Sequence, residues 1–200
     1  MKLFNLKHLS IISLLFYPSL IFAKNDLELV VHPQEIEKRI TEIATHIDKD
    51  YVGKELTLVM VLKGSFMVTA DLMRNLKTPH TLEYIKSTTH DSNGVRIGNT
   101  QVEGIENLDI KDKDILLIDD ACGTGATLST IIERLKEKQP KSIKSLVVIL
   151  FVNNGKRVHG FQPDYYLFKQ EAHRYLVGYG IDHKQHYRNL PGIYELTNYD

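Results

Sequence analysis

A single cysteine, Cys122, stands in the 200 residues of this chain. One thiol cannot close an intrachain disulfide, and it cannot build the thiolate cluster of a zinc site. Its place in a short turn of small residues reads as an apolar filler rather than a reactive thiol. Neither sign of charge is in excess, because 25 Lys and Arg balance 25 Asp and Glu. No polybasic face argues for nucleic acid, and no acidic tail is present. Internal repeats and low-complexity tracts are absent as well. With 42% hydrophobic residues, the length suits one soluble globular domain with a true core.

No apolar run is long enough to span a bilayer comfortably, which takes roughly 20 residues. The nearest, from Ser10 to Phe22, is shorter and carries Pro18. It follows a basic lead with Lys2 and Lys7, and it ends in Ala23 before the polar Lys24, Asn25 and Asp26. That order is the order of a secretory signal peptide. Residues 1–23 are therefore expected to be an export signal and residues 24–200 the functional domain. Ile21 and Ala23 make a modest cleavage site, and the alternative is an uncleaved anchor. Use of the signal implies a periplasmic or secreted protein, and disuse a cytoplasmic one. Cleavage would remove two lysines and no acid, leaving a slightly acidic domain with no membrane segment.

Beyond the leader, Ile36, Ile40, Ile43, Ala44 and Ile47 recur at helical spacing, with Pro33 near the first turn. Leu56 to Leu62 reads as a buried strand that ends in Lys63-Gly64-Ser65, and a helix follows to about Leu76. Thr81 to about Ser87 alternates as a strand. Thr88 to Thr100 is polar, with Asp91-Ser92-Asn93-Gly94 as an explicit turn. The spacing then gives a strand through Val102 to Ile105, a strand at Ile115 to Ile118, a helix over 126–138 and a strand at Ile143 to Val152. Strands alternating with helices specify an α/β class with a mostly parallel sheet flanked by helices. Ligands meet such sheets at the carboxyl ends of the strands, where Lys63, Asp119 and Asp120 fall.

The most informative segment runs from Asp114 to Leu128. An apolar strand ends in Asp119 and Asp120, a Gly123-Thr124-Gly125-Ala126-Thr127 loop follows, and a helix begins. Glycines let backbone amides close on a phosphate, and a helix start adds partial positive charge. Carboxylates at the strand's end accept hydrogen bonds from vicinal hydroxyls. The loop is no Walker A, since Gly-Lys-Ser/Thr is absent and the acids precede it. It reads as a cradle for a ribose 5-phosphate.

This segment resembles the phosphoribosyl pyrophosphate motif of type I phosphoribosyltransferases, specifically the hypoxanthine (6-oxopurine) family. Asp119, Asp120, Thr124, Gly125 and Thr127 match that motif. A second signature, Tyr175-Leu-Val-Gly-Tyr-Gly-Ile-Asp182 followed by Tyr187-Arg-Asn-Leu190, matches as well. The likeness runs from about Leu29 to about Leu190. It implies a parallel sheet with a small hood formed by the terminal segments, and transfer of phosphoribosyl from phosphoribosyl pyrophosphate to a purine base. By the resemblance, residues Thr124 to Thr127 hold the 5-phosphate and Asp119 and Asp120 bind the ribose. Lys63, Gly64 and Arg188 meet pyrophosphate, and Asp182 contacts Mg2+. Tyr175 stacks on the purine, and the Leu176 backbone reads its edge. A homodimer or homotetramer is implied too. His183 and His186, with no cysteine nearby and no HExxH context, read as surface histidines rather than metal ligands.

Three positions depart from the family. Gly123 replaces the Asp that manages the purine's ring proton. Asn153 stands where a lysine meets the 6-oxo group, with Lys156 offset by three. The Ser-Tyr pair that opens the family's mobile lid is replaced by Ser87-Thr88-Thr89-His90. Two of the changes face the base; the sugar-holding groups are intact. Two readings follow: a hypoxanthine-type purine salvage enzyme, or a catalytically impaired relative that binds phosphoribosyl pyrophosphate or a nucleotide as a sensor or serves as an exported interaction protein.

Overall fold

Continuous apolar runs in three neighbouring segments form the centre of the molecule. The computed structural model describes residues 26–88, 91–92, 95–96, 100–153, 156–157, 161–171 and 174–198, with the backbone alone at 91–92, 95–96 and 156–157. The expected signal segment, 1–23, lies outside the described residues. In chain order the elements are β1 (Leu27–Val31), α1 (Pro33–Asp50), β2 (Leu56–Leu62), α2 (Phe66–Asn75), β3 (His80–Thr88), β4 (Asp91–Ser92), β5 (Val95–Arg96) and β6 (Gln101–Glu103). A 3-10 turn at Ile105–Asn107 leads to β7 (Asp114–Cys122), α3 (Ala126–Lys136), β8 (Ser142–Asn153), β9 (Lys156–Arg157), β10 (Tyr165–Glu171), β11 (Leu176–Val177) and β12 (Ile193–Leu196).

The main sheet has the order β10-β8-β7-β2-β3-β6. Its first five strands run parallel, while β6 is reversed against β3 and the short β9 is reversed against β8. A strand covered on both faces must be apolar throughout, which is why β2, β7 and β8 read as runs rather than alternations. Leu58, Leu116, Ile118 and Leu146 pack toward α1 and α2. Val59, Ile115, Leu117 and Val147 pack on Leu128, Ile131 and Leu135 of α3. Helix α1 turns Ile36, Ile40, Ile43, Ala44 and Ile47 inward on one stripe. At its start the Glu35 carboxylate accepts the His32 backbone N–H at 3.1 Å.

β12 pairs antiparallel with both β1 and β11, so the two ends of the domain join in one small sheet. Val31, Leu176, Tyr179, Ile181 and Ile193 of this hood share the core of the α1 and α2 side. The hood that the resemblance implied is therefore present and is welded to the main sheet.

Several boundaries differ from the sequence reading, and the strand read as Ile115 to Ile118 runs from Asp114 to Cys122, taking Asp119 and Asp120 into β7. The strand expected to reach Ile105 stops at Glu103, because Gly104 takes φ 96° and opens the 3-10 turn. The helix expected to reach 138 ends at Lys136. β4 and β5 pair antiparallel, so Asp91 and Ser92 of the expected turn are strand, and its residues 93 and 94 lie outside the described residues. All the main loops of interest leave one edge: Lys63 follows β2, Gly123 follows β7, and Asn153 ends β8.

Leu116 is fully buried in the central strand, with 0% exposure. Leu116→Ala is expected to cost about 2–5 kcal/mol in chemical denaturation, with an unchanged denaturant slope. Val52→Ala, at a side chain 77% exposed, should stay within about 0.5 kcal/mol.

Candidate active site

Three backbone segments meet at the carboxyl edge of the sheet. The first is the turn after β2, entered through a cis peptide between Leu62 and Lys63. Ser65 is buried there, and its hydroxyl donates to the Val61 carbonyl at 2.7 Å. The second is the end of β7 and the loop into α3. The third is the stretch from Gly178 to Arg188 that follows β11. A Cβ on Gly64 would overlap the Asp120 carboxylate, and a Cβ on Gly180 would overlap the Gly64 carbonyl. Gly180 also takes φ 97°, a left-handed conformation that favours glycine. The three segments are thus in direct contact through Asp120, Gly64 and Gly180.

Within β7, Asp119 is buried, and its Oδ1 accepts the Asp120 backbone N–H at 3.0 Å. Alternation holds along the strand as far as Ile118, with Leu117 in the α3 layer and Ile118 in the α1 and α2 layer, and is broken before its end, where Ala121 packs with the α1 and α2 layer and Cys122 with the α3 layer. Asp120, in that irregular stretch, reaches Gly64. The loop beyond reaches Gly125, which caps α3 with φ 81°. Thr124 Oγ1 accepts the Ala126 N–H at 3.3 Å, which bends the loop toward the helix start. The Phe161 side chain lies against Gly125 so closely that a Cβ would meet it. Thr124 and Ala126 are exposed, and Thr127 is half-buried. At Gly123 the space is open, with no atom within 4 Å of an added Cβ. Cys122 closes β7 with its thiol buried in the α3 layer, consistent with a packing role.

The third segment holds a charged corner. Arg188 Nη2 pairs with Asp182 Oδ1 at 2.6 Å, and Arg188 Nη1 donates to the Gly180 carbonyl at 2.7 Å. The Gln185 backbone N–H donates to Asp182 Oδ2 at 2.7 Å. Lys63 Nζ crosses from the first segment to Gln185 Oε1 at 3.0 Å. Arg188 Nε is buried and makes no hydrogen bond among the described residues. The turn needs unusual backbone, since Lys184, Gln185 and Tyr187 all have positive φ. His183 is half-buried rather than a surface side chain, and its Nδ1 lies 2.9 Å from the Tyr175 hydroxyl. Leu176 is buried in β11, opposite Glu195 of β12. Asn153 is exposed at the end of β8, in register with Lys156 of β9.

Of the residues singled out in the sequence, Lys63, Gly64, Asp120, Asp182 and Arg188 are brought together by these contacts. Gly125, Ala126 and Thr127 cap the adjacent helix. Tyr175 joins the group through His183. Asn153 stands on the same edge, and Thr89 and His90 of the lid region lie outside the described residues. Sequence reasoning missed Gln185, Gly180 and the partnership of His183. A glutamine three residues after an acid was the available signal for the first.

The phosphoribosyl transferase domain family matches residues 28–183. The hypoxanthine phosphoribosyltransferase of Salmonella typhimurium is 31% identical over 179 residues, covering 88% of this chain and 99% of that protein. The hypoxanthine-guanine phosphoribosyltransferase of Staphylococcus aureus is 31% identical over 84% of this chain and 93% of its own length. Among solved structures, a Staphylococcus aureus hypoxanthine phosphoribosyltransferase superposes with TM-score 0.77 at 30% identity, covering 86% of this chain and 92% of that one. The chain belongs to the hypoxanthine phosphoribosyltransferase family of type I phosphoribosyltransferases.

The hood is tied to α2 by Tyr179, whose hydroxyl donates to Asp71 Oδ2 at 2.8 Å. Burial, and then that hydrogen bond, push the Tyr179 phenol well above its ordinary range. A folded-state pKa raised in this way stabilises fully below the free phenol value of about 10 and is lost as pH climbs beyond it. Tyr179→Phe is expected to cost about 1 kcal/mol at neutral pH and to flatten part of the fall in stability above about pH 10. Tyr51, pushed up to about 12 by burial, keeps some of that slope. Thermal unfolding across an alkaline pH series checks both effects.

Proposed function

We propose that this protein transfers a 5-phosphoribosyl group from phosphoribosyl pyrophosphate to a purine base. The observation that carries the reading is the contact of three segments through Asp120, Gly64 and Gly180. It brings together the Asp120 carboxylate, the Lys63-Gly64 turn and the segment of the Asp182–Arg188 corner, to which this reading gives the ribose, pyrophosphate and Mg2+. In the reaction a ring nitrogen of the base forms the bond to the anomeric carbon. The bond to pyrophosphate breaks, pyrophosphate leaves with that electron pair, and the ring N–H proton is released. The transition state is oxocarbenium-like, so position and electrostatics supply the rate.

Each residue takes a part on this reading. Amides from Thr124 to Thr127 and the start of α3 hold the 5-phosphate. Asp120 and Asp119 accept from the ribose hydroxyls. Lys63, the Gly64 amide and Arg188 take pyrophosphate, with Lys63 exchanging its Gln185 partner for the ligand. Tyr175 stacks on the base, and the Leu176 backbone reads its edge. Among the described residues, no three His, Cys, Asp or Glu side chains cluster as a metal cage. A lone Asp182 fits a hard cation that keeps its waters and arrives on pyrophosphate, which is how Mg2+ binds. Held by Asp182, a Mg2+ ion would supply charge that offsets the departing pyrophosphate.

The groups aimed at the base are the altered ones. Gly123 offers no side chain for the ring proton, and Asn153 offers an amide in place of a cation. Loss of a positioned acid or base lowers a rate by about 10² to 10⁴. We therefore expect slow nucleotide formation from hypoxanthine or guanine. Gly123→Asp enters open space and is expected to raise turnover about 10²-fold. An assay of purified residues 24–200 with phosphoribosyl pyrophosphate and Mg2+ decides it, and a variant no faster than the parent would mean the base pocket works differently.

Residues 1–23 are proposed to direct export. N-terminal sequencing of the mature protein should begin at Lys24, in a periplasmic or culture fraction, whereas Met1 retained on a cytoplasmic chain would contradict this. Self-association as a homodimer or homotetramer accords with exposed Phe66 beside the Lys63 turn and exposed Leu82 and Tyr84 on β3.

A further inference from the structure

Tyr175 and His183 form a pair to which the reaction above assigns only half a role. Tyr175 precedes β11, and His183 follows eight residues later, after the chain doubles back through Gly178 and Ile181. The Gly178 N–H donates to the Ile181 carbonyl at 2.9 Å, and the Ile181 N–H returns to Gly178 at 3.0 Å. This reversal sets the two rings 5.3 Å apart between centroids and at 82° to each other. The Tyr175 hydroxyl then meets His183 Nδ1 at 2.9 Å.

His183 is itself anchored, because its backbone exchanges hydrogen bonds with His186 at 3.3 and 2.9 Å. The phenol of Tyr175 is thus held at its hydroxyl end as well as at its backbone end, where the Leu196 N–H donates to the Tyr175 carbonyl. A phenylalanine at 175 could keep the edge contact but would lose the hydroxyl bond to His183 that holds the far end of the ring. Either imidazole tautomer preserves the bond, since the phenol can donate to Nδ1 or accept from it.

We propose that His183 is a positioning residue that fixes the tilt of the Tyr175 ring for stacking on the purine. The proposal rests on the reading of Tyr175 as the base-stacking aromatic. It assigns His183 to base affinity rather than to metal binding or to the sugar.

Two near-isosteric substitutions separate a hydrogen-bonding role from a packing role. His183→Asn presents a polar atom at the same bond distance from the backbone as Nδ1. His183→Leu presents a methyl group there. The probe is inosine 5′-monophosphate, titrated calorimetrically into the full domain and into each variant, with phosphoribosyl pyrophosphate plus Mg2+ titrated as the second ligand. His183→Leu and Tyr175→Phe should each weaken the nucleotide about fivefold, the size of one hydrogen bond. His183→Asn should stay within about twofold of the parent, and the Leu/Phe double variant should be no worse than either single one. Affinity for phosphoribosyl pyrophosphate should stay within about twofold throughout. Equal nucleotide binding by parent and variants would overturn the proposal, as would fully additive losses in the double variant. A parent that binds phosphoribosyl pyrophosphate but no nucleotide would overturn it by removing its base site. A parent that binds neither ligand would overturn the functional reading and this inference with it.

Discussion

The close approach of Asp120 to Gly64 is the constraint on which the site depends. A carboxylate at the end of one central strand lies where a side chain on the neighbouring turn would have to be, and the Gly64 carbonyl in turn presses against Gly180. Any side chain at either glycine would push apart the strand, the turn and the hood. The hood cannot readily yield, because Tyr179 and Ile181 are built into the same core as α1 and α2. Two residues without side chains therefore hold together three segments that lie far apart along the chain.

Beside that junction the charged corner is satisfied by its own groups except at Arg188 Nε. Asp182 and Arg188 form an ion pair with only 24% and 17% of their side-chain surfaces exposed, so it is largely shielded from water. Such a pair is stronger than a surface one, yet each partner carries a desolvation cost that good geometry must offset. The Gln185 amide and the Gly180 carbonyl supply the additional hydrogen bonds. The buried Arg188 Nε retains an unspent donor, which an anionic oxygen would satisfy. On the base side the described frame is the bond between Tyr175 and His183. The two departures, at Gly123 and Asn153, occupy an open space and an exposed strand end.

Much of this was legible in the sequence, for identifiable reasons. Long apolar runs at Leu56–Leu62 and Ile143–Val152 can be little other than covered strands, and the stripe from Ile36 to Ile47 has one helical solution. The acid pair and the glycine loop are local in sequence, so their shape follows from local chemistry. β10 was hidden by Lys169, Gln170 and Glu171, whose polarity suits an edge strand and resembles a loop. β1, β11 and β12 are short and acquire their identity only by pairing with each other across the domain. The orientations of Asp119 and Asp120 were not legible, because Ala121 and Cys122 break the alternation set by Leu117 and Ile118. The link between Tyr175 and His183 depends on a chain reversal that no spacing rule announces.

The central claim is that the Asp120, Gly64 and Gly180 junction assembles a site for an activated ribose phosphate. Calorimetric titration of phosphoribosyl pyrophosphate with Mg2+ into the parent domain and into Gly64→Ala tests it most directly. The account expects saturable heat with the parent and its loss in a variant that remains folded. No heat with the parent at millimolar ligand, or undiminished binding by Gly64→Ala, would contradict it.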